Sequence, residues 1–111
     1  MPTAAEREFA AKSGESRIYP WGNEPPSAKR AFYGAKNGST MVGTHQEGAS
    51  KWGLQDMAGN VWEWTSDTYD KTFKEVRGGA WSGSPPHLRA SNRGQAEDWW
   101  TTDNIGFRCV Q

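Results

Sequence analysis

The stretch GLQDMAGNVWEWTSD, Gly53 to Asp67, constrains this chain more than any other. A glycine–asparagine turn leads into Val61, Trp62, Glu63 and Trp64, whose apolar and polar residues alternate. A period of two predicts a strand, with Trp62 and Trp64 on one face and Val61 and Glu63 on the other. Such a strand needs an aromatic interior, and composition agrees. Only 34% of residues are hydrophobic, yet seven are tryptophan, and burial of each large ring removes about 150–250 Å² from water. Thirteen glycines and six prolines imply many turns. The aromatic content argues against disorder. At 111 residues the chain is read as one small domain, 1–111, with a single core.

Charge narrows the function. Thirteen Lys and Arg balance thirteen Asp and Glu, so no global field favours nucleic acid or an anionic membrane. No apolar run approaches the roughly 20 residues of a membrane span, and the N-terminus does not read as a signal peptide. No membrane insertion is expected; display on a virion or cell surface by another route stays open. Cys109 is the single cysteine, so no intramolecular disulfide can form. It reads as a buried small hydrophobe rather than a nucleophile.

Along the chain, Thr3 and Glu6 make a capping box, and Gly14 a stop, for a helix over 4–13 with Ala5 and Phe9 inward. Ile18 to Trp21 reads as a short extended piece. Residues 22–52 read as a long surface excursion anchored by Phe32, Tyr33, Met41 and Val42. EVRGGAW reads as a second strand whose glycines allow close backbone approach. NIGFRCV reads as a last strand, and the residues between these two show little strand or helix pattern. Trp21, Trp52, Trp62, Trp64 and Trp81 are assigned to the core.

PTAAEREFAAKSG, YPWGNE, GLQDMAGNVWEWTSD, VRGGAW, LRASNR and NIGFRCV stand in the order of one family. The chain resembles the formylglycine-generating-enzyme-like (sulfatase-modifying-factor) domain. That resemblance implies a C-type-lectin-like α+β fold, with a small irregular antiparallel sheet, one or two helices and long loops. The family usually has a further N-terminal portion, so this is a minimal version or a fragment.

The same resemblance argues against catalysis. Oxidising members carry two cysteines shortly after the GG-x-W/Y strand; the matching positions here lie near Gly83 and Leu88. Neither can ligate a soft metal or be deprotonated. An iron-using branch relies on histidines, and His45 and His87 are the only two present. Family members also place calcium at the DMxGNVWEW turn. Carried over, the ligands are the Asp56 side chain, the carbonyls of Gly59 and Val61, and the Glu63 carboxylate. These are the hard oxygens that Ca²⁺ takes. The alternative is that Asp56 and Glu63 cap the turn and pair with arginines. The sugar-binding Glu-Pro-Asn and Trp-Asn-Asp motifs are missing.

One branch of the family is built for binding. Its members are the variable proteins of diversity-generating retroelements, whose rewritten segments begin near RGGSW, pass LRSANR and end at NIGFR. Arg77–Arg108 has that layout. Between the framework pieces sit Ser82, Gly83, Ser84, His87, Gly94, Gln95, Ala96, Trp99, Trp100 and Thr102, the candidate ligand-binding residues. Adjacent tryptophans in an extended stretch face opposite ways, so Trp99 and Trp100 place at least one ring outward unless both close the core. Arg77, Arg89, Arg93 and Arg108 are expected to brace loops. The expectation is a monomeric, non-catalytic protein that binds another protein or a cell-surface component. The alternative is a structural or regulatory module of a larger protein.

Overall fold

A computed structural model describes residues 1–109; Val110, the end of the expected last strand, lies outside the described residues. The helix α1 spans Ala4–Lys12. Thr3 caps it as expected: its hydroxyl accepts from the Glu6 amide at 3.1 Å, and the Glu6 carboxylate accepts from the Thr3 amide at 2.8 Å. Ser13 adopts a left-handed conformation and ends the helix. Its inward face is not the expected one. Ala4, Arg7 and Ala11 are buried, whereas Ala5 and Phe9 are exposed. The face is selected by Arg7, which has a buried carboxylate to reach.

Four strands follow: β1 (Trp62–Thr68), β2 (Lys74–Arg77), β3 (Arg93–Ala96) and β4 (Ile105–Gly106). The sheet order is β3-β2-β1-β4. The expected antiparallel pairing joins β1 to β2 and β2 to β3, while β4 lies parallel to β1, making the sheet mixed. β3 falls where little pattern was expected, and a 3-10 turn spans Pro85–Leu88 in the same region. Ile18 to Trp21 is a tight turn closed by a Tyr19–Gly22 bridge, with Tyr19 and Trp21 stacked at 5.0 Å.

The interior is small-residue and polar rather than aromatic. Ala11, Met57 and Ala90 form one cluster, and Ala31, Ala58 and Leu88 another. Arg7 is the largest fully buried side chain. Trp21, Trp62, Trp64 and Trp81 are only half-buried, and Trp21 packs against the second cluster. Trp52 is exposed and packs instead on exposed Phe9, with ring centroids 5.3 Å apart. Met41 and Val42 are exposed and anchor nothing, unlike half-buried Phe32 and Tyr33. Cys109 is exposed, not a buried hydrophobe.

Two glycines are required by this packing. Gly78 has φ +104°, and a Cβ there would lie 2.7 Å from Arg7 Nη2. At Gly59, with φ +81°, a Cβ would lie 2.7 Å from the Phe32 carbonyl oxygen. The first lets the sheet close over the buried arginine. The second lets the 22–52 excursion seat against the turn.

Candidate functional site

The start of β1 presents Glu63 to two arginines. Arg7 Nη2 lies 3.1 Å from one carboxylate oxygen, and Arg108 Nε lies 2.9 Å from the other. Arg7 Nη2 also donates to the Met57 carbonyl at 2.8 Å. Arg108 Nη2 donates to the carbonyls of Gln55 and Asp56 at 2.7 and 3.2 Å. Burial alone would push the Glu63 carboxyl up, but the charge of Arg7 and the bonds and charge of Arg108 outweigh it and hold it below the ordinary range.

The four residues expected to hold calcium meet at this place. Asp56, Gly59, Val61 and Glu63 line a cavity of about 390 Å³. Gln55 lines it too, and its buried Oε1 has no partner. Asp56 adopts φ 55° and accepts from the Gly43 amide through Oδ2 at 2.7 Å. The oxygen donors fit calcium in kind. Among the described residues no three His, Cys, Asp or Glu converge, so carbonyl and amide oxygens would supply much of the shell. Glu63 would share its charge with two guanidinium groups.

A second ion-paired chain ties α1 to the sheet. Arg77 pairs with Glu8 at 2.6 Å and Glu75 at 2.7 Å, and Arg93 pairs with Glu75 at 2.8 Å. Arg77, Arg93 and Arg108 brace the structure as expected, and Arg89 is exposed. Burial pushes the Glu75 carboxyl up, but Arg93 and Arg77 hold it below its usual value.

On the opposite face of β1 lies Trp62, which joins the candidate binding residues. Its ring meets His87 edge-on, with centroids 6.3 Å apart. On its other side a cavity of about 320 Å³ is lined by Trp62, Gly94, Gln95, Trp100, Thr102 and Asn104. Gly94 is needed there, since a Cβ would lie 2.9 Å from the indole. His87 caps the Pro85–Leu88 turn together with Ser84, its Nδ1 lying 3.2 Å from the Ser84 hydroxyl. Ser82 is exposed and Gly83 half-buried. Ala96 does not belong to the face: it is fully buried in β3, where it pairs with Lys74. Trp62 and Asn104 were not among the candidates. The alternation that sets Trp62 opposite Glu63 is the signal that marks its face.

The residues after β3 turn rather than extend. The Trp100 amide donates to the Glu97 carbonyl at 3.0 Å, so both tryptophans show. Trp99 is 72% exposed and Trp100 36%, with ring planes at 90° and centroids 6.4 Å apart. The far end is tied down. Trp81 Nε1 donates to the Asp103 carbonyl at 3.1 Å, and the Trp62 amide to the Asn104 carbonyl at 2.7 Å. Gly83 and Leu88, near which the resemblance places the cysteines of oxidising members, are half-buried and fully buried respectively.

Bovine (Bos taurus) inactive C-alpha-formylglycine-generating enzyme 2 is 36% identical over 130 residues, covering 99% of this chain and 43% of that protein. The formylglycine-generating enzyme of Mycobacterium tuberculosis (strain ATCC 25618 / H37Rv) is 31% identical over 150 residues, covering 99% of this chain and 50% of that protein. The chain thus spans half or less of the length of these curated relatives. Among solved structures, Treponema denticola variable protein 1 superposes with a TM-score of 0.82 at 26% identity, over 96% of this chain and 45% of that one. The C-type-lectin-like α+β fold is therefore shared. The sulfatase-modifying factor enzyme 1-like domain matches residues 1–111, and the chain belongs to that family.

Proposed function

We propose that this chain is a non-catalytic ligand-binding protein of the diversity-generating-retroelement type, presenting a diversified C-terminal face on a rigid scaffold. The observation that carries the reading is the exposure of Trp99 and Trp100 at the end of an ion-paired framework. Rigid aromatic anchors among small, adaptable polar residues are the chemistry of a paratope. The ligand is another protein or a cell-surface component, met by Trp99, Trp100, Gln95, Thr102 and His87 around Trp62. The likeness to a variable protein supports this. So does the likeness to a protein named inactive, together with the lack of a second cysteine.

The rival is a structural or regulatory module of a larger protein. The 43% coverage of the bovine relative favours it. Sequencing the flanking DNA separates the two. The binding reading expects a near-copy of the Arg77–Arg108 segment, differing almost only at adenines, beside a reverse transcriptase. Flanks holding the rest of a longer reading frame and no such copy would move the conclusion to the rival.

Calcium at the Asp56–Glu63 turn is proposed as a structural ion, held by Asp56, the Gly59 and Val61 carbonyls and Glu63. The unpartnered Gln55 Oε1 in the same cavity supports it.

A further inference from the structure

The binding loop is locally acidic. Residues 97–103 read EDWWTTD, with three carboxylates and no basic residue, in a chain whose net charge is zero. In the frame, Glu8, Glu15, Glu63 and Glu75 each hold a cation. Among the described ion pairs none involves Glu97, Asp98 or Asp103. Asp98 lines a separate hollow with Lys74, whose wall includes neither ring.

The rings add a second preference. Trp99, Trp100, Thr101 and Thr102 line a hollow of about 280 Å³ that adjoins the Trp62 cavity. Neither wall carries a charged side chain, so the three carboxylates, which bracket the rings in sequence, act from outside the hollows as an acidic rim. A cation gains from both, through the ring quadrupole and through the rim. An anion would be repelled. A neutral ring would use the indoles and leave the rim idle. The protein already makes one such contact, with the Arg93 guanidinium 4.5 Å above the Tyr69 ring.

We infer that the Trp99–Trp100 face takes lysine or arginine side chains from a basic segment of a protein partner. This rests on the binding reading above and names its ligand chemistry.

Isothermal titration with deca-lysine, deca-glutamate and maltohexaose tests it. The parent should bind deca-lysine best, with affinity falling as salt rises. Glu97→Gln with Asp98→Asn and Asp103→Asn should bind at least about tenfold more weakly and lose most of the salt dependence. Trp99→Ala with Trp100→Ala should also lose about tenfold while keeping the rim charge. Equal deca-lysine binding by the neutralised variant overturns the inference. So does a preference for deca-glutamate or maltohexaose; if that binding still needs the two tryptophans, the binding face stands and only its cation preference falls. If no probe depends on Trp99 and Trp100, both readings fall together.

Discussion

Two regions of this protein use charge in opposite ways. Around β1 and β2 the buried acids meet arginines: Arg7 and Arg108 hold Glu63, while Arg77 and Arg93 hold Glu75. In the loop after β3 the acids stand beside two exposed tryptophans. The difference teaches where the fold tolerates change. A chain short of aliphatics fixes its frame through geometry-bound ion pairs, and residues outside that frame carry no packing duty. A binding surface can then vary without touching the core.

The largest expected effect breaks the frame. Glu63→Gln leaves the buried Arg7 without a counter-charge, which should cost about 3–5 kcal/mol in chemical unfolding. A loss below about 1 kcal/mol would show that the pair is not structural. Next comes Gly78→Ala, which combines a positive φ with a Cβ pressed on Arg7. It should cost about 2 kcal/mol and leave the isolated loop chemistry unchanged.

Acid should sharpen the contrast. The Glu63 and Glu75 carboxyls lie below their ordinary value in the fold. Their contribution is therefore complete above the unfolded value of about 4.3 and is lost as pH falls through the lower folded values. A denaturation series from neutral to acid pH should show stability nearly flat until that range and falling below it; a fall that begins near neutrality would contradict the assignment. Calcium should give a smaller, separate signal: millimolar Ca²⁺ raises the unfolding midpoint and EDTA removes the gain. An unchanged midpoint with no binding heat would end the calcium proposal.

Much of the frame is legible in the sequence because it depends on local chemistry. The Thr3–Glu6 box caps α1 as expected, and the Val61–Trp64 alternation becomes the start of β1. What is not legible depends on distant partners. β3 reads RGQA, without a β-branched or aromatic residue, and is a strand because β2 pairs with it. Arg7 is buried because Glu63, far along the chain, awaits it, whereas a charged residue on a helix is ordinarily read as solvated. Phe9 and Trp52 look like core residues and instead cover one another at the surface. In the candidate face, Trp99 and Trp100 stand out as unframed aromatics, but Trp62, which shares a cavity with Trp100, belongs to another motif, and only the fold brings the two together.

The central claim is that the binding face is separable from the frame. Replacing Trp99 and Trp100 together by alanine and measuring unfolding by urea tests it most directly. A loss of less than about 1 kcal/mol is expected, as for exposed side chains. A loss of about 3 kcal/mol or more, the scale of a buried tryptophan, would place the two rings in the core and contradict it.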